Sequence, residues 1–479
     1  MIQKIASFFN FQERRATFKG EIIGGLVTFL AMSYILAVNP VMISEAGIPL
    51  GGAFIATALG AALATIIMAF LTNFPVALAP GMGVNAFFTY TIVGGIAGTA
   101  SYGIGYTWQE ALAISFLGGV IFVIISFTPI RKKLIEAIPN GLKSAIGVGI
   151  GFFIAFVGLQ NAGIIVADPA TGVTLGNFLD PNVLVAVFGV FLIIFLHNMK
   201  GNLSKFSFII AIGTTAALYA LLALFNVEGL IEINKLSYSD LGGFKETFGG
   251  FITGFKTMFQ TTPEVIVNGT VAREAFTVTQ KLTTLPFIVF ALLFVDIFDT
   301  AGTLVAVTKA ADLVDEQGNI PNLDRALFAD AVGTLLSSSF GTPEITSFVE
   351  SSTGVESGAR TGFSNIIVAA LFLLSILLYP FMGVFNILPV TSMALVLVGV
   401  LMASQISEID WTDKAVAVSS FLTILGMVVT YSVSDGIAFG FITYSISMLA
   451  SRRGKEVPVL IYILSLGFIL YFALHAFMF

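Results

Sequence analysis

Long apolar blocks with few charges recur along the whole chain, and they leave few folds open to it. They cover about 21–44, 49–72, 108–128, 142–164, 184–198, 205–225, 284–308, 363–382, 385–403, 413–431, 434–450 and 457–478. Crossing the hydrocarbon layer of a bilayer takes roughly 20 apolar residues in helix, and most blocks approach that length. Their apolar residues are continuous, without the 3.6-residue rhythm and polar face of a soluble helix. A helix in lipid satisfies its backbone groups internally, so the chain reads as an all-α polytopic membrane protein. Composition agrees: of 479 residues, 57% are hydrophobic and 10% charged. A net charge of −6 offers no basic surface for nucleic acid, and the absence of cysteine excludes disulfides and thiol chemistry.

The opening stretch IASFFNFQERRATFKGE is charged and amphipathic and runs into the first block without a cleavage site. Basic residues cluster at Arg14, Arg15 and Lys19, at Arg131, Lys132 and Lys133, at Lys200 and Lys205, and at Arg452, Arg453 and Lys455. The loops 95–107 and 162–183 have neither Lys nor Arg. The positive-inside rule then places the N-terminus in the cytoplasm, with the protein in the cytoplasmic membrane. The long polar connection 226–283 falls outside. Within it Phe244, Phe248, Phe251, Phe255 and Phe259 recur at spacings of three and four. That predicts one helical face, lying along the membrane interface or packed on the protein body.

Internal similarity suggests one unit used twice. The segment 138–160 resembles 387–406, 197–212 can be laid on 431–446, and TALGAALAT (57–65) on DAVGTLLSS (330–338). Chain order is kept throughout. Seven crossings per unit would bring the second unit in from the opposite face, the inverted-repeat plan that places substrate sites near the membrane midplane.

Two segments at matching places cannot be ordinary spans. NFPVALAPGMGVNAFFTYTIVGG (73–95) holds two prolines and a GMG, and SFGTPEITSFVESSTGVESGARTG (339–362) is rich in Gly, Ser and Thr and carries three glutamates. Each reads as a short extended piece (VALA; TPEIT) entering a half-helix (GVNAFFTY; SFVESSTG). Irregular backbone at membrane depth needs protein or a wet cavity around it, and half-helix N-termini offer free N–H groups and a positive dipole end to a ligand.

Carboxylates stand among these elements. In LFVDIFDTAGTL, Asp296 and Asp299 are three residues apart and share a helix face, with Thr300 and Thr303 near it. Ionised aspartates facing lipid cost at least about 2.5–3.5 kcal/mol each, so this face should line a cavity, where a carboxyl that takes up and releases a proton suits proton-coupled transport. One of the two, Asp299 in particular, could instead cap a nearby half-helix. Glu350 lies in the second broken helix next to Phe348; a carboxylate accepts two hydrogen bonds from adjacent N–H groups of a planar heterocycle while an aromatic ring stacks on its face. Asn85, in the first half-helix, could touch substrate or tie the half-helices together. Phe87, two residues on, and Thr300 are further candidate contacts. Asp330 could be structural or part of a proton route, Glu344 has no evident role, and Glu356 reads as solvated. His197 and His475 lack metal-ligand company, and AIGVGIGFF (145–153) is small-residue helix packing, since no Lys-Ser/Thr follows it.

The motifs TFLAMSYILAVNP, APGMGVNAFF, FVDIFDTAGTL and TSFVESSTGVESGARTG resemble those of the AzgA-like purine permeases, a branch of the nucleobase–cation symporter-2 superfamily, over nearly the whole chain. The resemblance implies the uracil-permease-like fold, about 14 transmembrane segments in a 7+7 inverted repeat, with two broken half-helices preceded by short strands. It also implies a core domain (21–128 and 284–383) and a gate domain (129–225 and 384–456), to which the charge pattern adds a cytoplasmic segment (1–20) and an extracellular connection with an amphipathic helix (226–283); the apolar segment 457–479 is left over after the presumed fourteenth segment and reads as an extra or surface-lying helix. The implied function is uptake of hypoxanthine, guanine or adenine with protons, by a homodimer and without a cofactor. Carried over residue by residue, Asp296, Asp299 and Glu350 are the proton-coupling acids. Glu350, Asp296, Phe348 and Asn85 contact the base. TPEIT departs from the family's Ser/Thr-rich lead, which leaves the role of that strand's side chains open. Two rivals stand beside this reading. An anion transporter or channel of the same general fold would want a basic residue or bare dipole ends where the acids stand, and an intramembrane enzyme would want a nucleophile with a base or a metal set.

Overall fold

Several helices start where a side chain supplies an acceptor for their free N–H groups. The computed structural model describes residues 2–94, 103–128, 138–168, 170–233, 235–267, 270–273, 275–314, 320–385 and 387–478. A short α1 (Ile2–Phe8) precedes α2 (Phe18–Met32), whose cap, Thr17, accepts from the Gly20 N–H at 3.0 Å. The rod breaks at Ser33–Tyr34 and resumes as α3 (Ile35–Ser44), which contains Pro40. After α4 (Leu50–Thr72) comes β1 (Leu78–Pro80), then α5 (Met82–Ala86), which passes into a π-helical turn, Phe87–Val93. Next follow α6 (Trp108–Ser126), opened by a reciprocal Thr107–Glu110 capping box, and α7 (Asn140–Asn161). The first half ends with a hairpin of β2 (Ile165–Asp168) and β3 (Gly172–Leu175), then α8 (Pro181–His197), α9 (Asn202–Lys205) and α10 (Ser207–Leu224).

The connection 226–283 does not form the single helix expected from its phenylalanines. Gly249, at φ +73, stops α11 (Phe244–Thr247) and starts α12 (Gly250–Thr257), a left-handed turn that glycine adopts without steric cost. The phenylalanines divide accordingly. Phe251 stacks on Phe116 of α6 at 4.2 Å with Phe255 edge-on to both rings, and Phe248 stacks on Phe340, while Phe248 and Phe259 keep more than half of their surface exposed. The expectation of packing on the protein body holds for Phe251 and Phe248. A second hairpin follows, β4 (Val265–Val267) with β5 (Thr270–Arg273).

The second half runs through α13 (Val278–Ala310), α14 (Leu323–Phe340), β6 (Ile345–Ser347), α15 (Ser351–Glu356), α16 (Phe363–Ser375, continuing as a 3-10 helix to Val384), α17 (Leu388–Ala403), α18 (Lys414–Val429), α19 (Val433–Ala450) and α20 (Val459–Met478). Elements matched by the internal similarity lie against each other: α4 on α14, and α7 on α17. The latter contact is close because glycines face each other; a Cβ on Gly399 would stand 2.4 Å from the Gly151 carbonyl oxygen.

Among the described residues nine helical rods are long and apolar enough to span a membrane, accompanied by four shorter apolar helices. The expected count of fourteen is finer than these lengths return. α14 carries Asp324, Arg325 and Asp330 among small polar residues, and α15 has six residues, so neither stands out as an apolar span. The architecture is also not purely helical, since among the described residues three two-stranded sheets punctuate it. The expectation of short strands leading into the half-helices agrees with β1 and β6, whereas the two loop hairpins had not been anticipated. In the first of those, Asp168 Oδ1 accepts from the N–H groups of Ala170 and Thr171, closing the turn. The C-terminal segment forms a helix: α20 packs on α19 and α13, with Ser465 Oγ 2.7 Å from Ser445 Oγ and Phe287 against Tyr471. Arg131, Lys132 and Lys133 lie outside the described residues, as does the side chain of His475.

Candidate functional site

Two strands set the site. β1 and β6 pair antiparallel, with Leu78 opposite Ser347, Ala79 opposite Thr346 and Pro80 opposite Ile345. Their flanking helices hold them: Thr65 Oγ1 of α4 bonds both the N–H and the carbonyl of Leu78 at 2.9 Å, and Ser337 and Ser338 of α14 donate to the Pro343 carbonyl. The pairing extends past the strands, from Phe348 N–H to the Ala77 carbonyl and from Gly81 N–H to the Glu344 carbonyl. Because the two strands meet at their centres, the half-helices α5 and α15 leave from opposite ends of one short ladder, deep in an apolar bundle.

Glu350 occupies the residue before α15. Its Oε1 accepts from the Tyr34 hydroxyl at 2.9 Å. Tyr34, at the break between α2 and α3, stacks on Phe208 of α10 (ring centroids 4.2 Å apart, planes 14° apart), and Phe348 stands 6.5 Å from it. Asp299 is half-buried, accepts from Thr346 Oγ1 at 3.3 Å, and lies within electrostatic range of Glu350 and Tyr34. Ser347, between Thr346 and Phe348, has a buried hydroxyl with no hydrogen-bond partner among the described residues. Two acids, three aromatic rings and a hydroxyl thus converge at the start of a half-helix.

Behind this group is a second, fully buried polar layer. Asp296 receives Thr334 Oγ1 at 3.5 Å, the outer limit of a hydrogen bond, and lies within electrostatic range of Glu344. Glu344, 1% exposed, aims its carboxyl toward α6, beside Ser115 and Gly118. Thr300 Oγ1 donates to Asp330 Oδ2 at 2.8 Å, tying α13 to α14. Asn85 Nδ2 donates to Asn39 Oδ1 at 2.7 Å, and Asn85 Oδ1 accepts from the Glu344 N–H at 3.4 Å. Asn39 Nδ2 in turn reaches Thr57 and Thr342. Phe87 is buried in the apolar core where α5 becomes π-helical.

Of the residues singled out from the sequence, the structure therefore brings Glu350, Phe348 and Asp299 together. It places Asp296, Thr300 and Asn85 in the layer behind, where Asn85 performs the tie between broken segments. Glu356 is solvent-facing and pairs with Lys205 at 2.6 Å. Sequence reading missed Tyr34, Asn39, Phe208 and Thr342. Tyr34 and Asn39 both lie in TFLAMSYILAVNP, and an asparagine inside an apolar run is the same signal that drew attention to Asp296. Phe208 carries no such mark, being one aromatic among many. Among the described residues no group of three or more His, Asp or Glu could hold a metal.

Comparison with known proteins adds the following. The chain is 39% identical to the guanine/hypoxanthine permease PbuG of Bacillus subtilis over 97% of its own length and 99% of that protein's. It is 33% identical to the adenine permease AdeP of Escherichia coli, with 96% and 94% covered. Among solved structures, the transmembrane domain of the cyanobacterial bicarbonate transporter BicA superposes with a TM-score of 0.58 at 16% identity, covering 91% of this chain and 98% of that one. Murine solute carrier 26 family member A9, an anion transporter in its inward-facing state, gives 0.54 at 12%, covering 91% and 69%. At such identity these two likenesses concern the fold alone. The resemblance read from the four motifs stands, and the match of the Permease family model to residues 19–439 shows that this chain, a multi-pass membrane protein, belongs to that family of nucleobase permeases.

Proposed function

We propose that this chain imports purine nucleobases, hypoxanthine or guanine foremost and adenine as a further candidate, together with protons across the cytoplasmic membrane. The observation that carries the reading is the convergence of Glu350 and Asp299 with Phe348, Tyr34 and Phe208 where α15 begins. A purine is planar, apolar on its faces and rich in N–H donors on its edge; stacked rings and carboxylates match those features. The relatives named for guanine, hypoxanthine and adenine support the same class. An anion would meet two acids here and no cation, which leaves the anion-transporter alternative without support.

Glu350 and Asp299 then accept ring N–H groups, Phe348 lines the base, and Asn85 with Asn39 holds the broken segments so that both half-helices move as one. Asp296, with Glu344, stores the coupling proton behind the strands. The segments 21–128 and 284–383 form a core that slides against a gate, 129–225 and 384–456, in an elevator motion with the N-terminus cytoplasmic. The Tyr34–Phe208 stack joins α10, and the Lys205–Glu356 pair the end of α9, to the core.

Expression in cells devoid of purine permeases tests the reading. Labelled hypoxanthine should accumulate, compete with guanine more than with uracil or sulfate, and be lost on adding an uncoupler. Accumulation that sulfate abolishes and guanine does not would rule out the purine site. Accumulation indifferent to the uncoupler would rule out proton coupling. Full uptake by Asp296→Ala would remove that residue from the mechanism.

A further inference from the structure

The side chain of Tyr34 makes the two contacts that the proposed substrate would make. Its hydroxyl donates to Glu350 Oε1 at 2.9 Å, and its ring lies face to face with Phe208 at 4.2 Å. Among the described residues it is the one side chain that donates to the Glu350 carboxylate. Phenol and purine share the relevant chemistry, a flat aromatic face with a hydrogen-bond donor on the edge. We propose that Tyr34 is a resident ligand of the nucleobase site, occupying it in the empty carrier and yielding its place to the incoming base. This inference rests on the purine reading above and names a residue that sets the site's apparent affinity.

Three features support it. A half-buried carboxylate short of donors is costly, and Tyr34, beside Glu350's own backbone N–H, supplies one when no base is bound. The tyrosine stands at a weak point of its rod. At Ser33–Tyr34 the ladder shortens, with Leu36 N–H bonding the Ser33 carbonyl and Ala37 and Val38 N–H groups sharing the Tyr34 carbonyl. Displacing the ring there breaks no long helix. Finally, Phe208 belongs to α10 and Glu350 to the loop entering α15, so Tyr34 bridges two parts of the molecule that move apart in the proposed elevator. A base that displaces it exchanges one bridge for another, and its return on release restores the donor to Glu350.

A residue that merely lined the site would weaken binding when altered; a resident competitor does the reverse. Tyr34→Phe keeps the ring and removes the donor. Its half-saturation concentration for hypoxanthine uptake should fall by about three- to tenfold, since the fraction of carriers competent to bind rises. An unchanged or raised value in Tyr34→Phe overturns the proposal. Should that variant fail to fold, 3-fluorotyrosine placed at position 34 of the otherwise unaltered chain gives a second reading. Its fluorine resonance should move on saturation with hypoxanthine, and a resonance that stays put overturns the proposal equally. Unaltered protein that takes up no purine at all defeats the purine reading and this one together. Purine uptake with no gain in Tyr34→Phe and no fluorine shift defeats this one alone.

Discussion

Lys281 Nζ and Glu110 Oε1 lie 2.6 Å apart with both side chains 1% exposed. The ammonium also donates to the carbonyls of Gln260 (2.7 Å) and Thr257 (3.4 Å), and Glu110 Oε2 accepts from Thr107 N–H. One ion pair therefore fastens the start of α13, the start of α6 and the end of α12. Removing one member leaves a buried charge uncompensated, at a cost of about 3–5 kcal/mol. Lys281→Met or Glu110→Gln alone should lower the midpoint of thermal unfolding in detergent sharply. Lys281→Met with Glu110→Leu should recover much of the loss. A double variant no better than either single one would contradict the pairing argument.

Glu344 and Asp296 supply a prediction about protons. The two lie within electrostatic range of each other in one buried site, an arrangement that lets a carboxyl pair hold and pass on a proton. Glu344→Gln removes one partner while leaving Glu350, Asp299 and the aromatic rings untouched. Half-saturation for hypoxanthine should stay within about twofold, whereas the ratio of uptake at acid to alkaline external pH should shrink toward one. Uptake measured across that range in energised vesicles tests this. An unaltered pH profile would place the coupling proton elsewhere.

The architecture was legible wherever one residue violated its local surroundings. Prolines and glycines in 73–95 and 339–362 announced the broken helices, and acids in an apolar run announced α13. The β1–β6 pairing itself was less visible. Three-residue strands carry almost no periodic signal, and their register is fixed by Thr65, Ser337 and Ser338 from other helices. Partition of the acids was also hidden. Asp296 and Asp299 share a helix face, but the side chains meeting that face come from β6 and α14, so Asp299 accepts from Thr346 and Asp296 from Thr334. Spacing along α13 fixes the direction and leaves the neighbours unspecified. The Phe244–Phe259 run misled for a related reason: its rhythm is helical, and a single left-handed glycine overrides it.

Asn85 separates positioning from binding. Its amide is spent on Asn39 and on the Glu344 N–H, so it joins α5 to α3 and to the lead into β6. Asn85→Ala leaves the Glu344 N–H and the Asn39 amide oxygen short of partners, each worth about 1–3 kcal/mol when buried. Surviving protein should show a lower maximal uptake rate and a lower unfolding midpoint, with half-saturation changed little. A large rise in half-saturation with normal stability would make Asn85 a substrate contact.

Asp413 provides the acid-side prediction, at a site outside the spans. Its Oδ1 caps α18 by accepting from Ala415 N–H at 2.9 Å, and its Oδ2 receives Arg453 Nη1 at 2.5 Å. The Arg453 hydrogen bond holds this carboxyl below the usual aspartate range, with the Ala415 N–H adding to the effect. A carboxyl whose folded value is depressed stabilises the fold above its unfolded value, about 3.9. That contribution is lost as pH falls through the lower folded value. Between pH 7 and 5 Asp413 should therefore add the same stability, and the loss should appear below about pH 4. Asp413→Ala should cost about 1 kcal/mol at neutral pH, the ordinary worth of an N-cap, and less as the acid limit is approached. Arg453→Gln should leave the cap in place and shrink the acid-linked loss. Thermal unfolding midpoints of the three proteins at pH 7, 5 and 3 in one detergent check the sign, and an Asp413→Ala deficit that grows on acidification would show the linkage to run the other way.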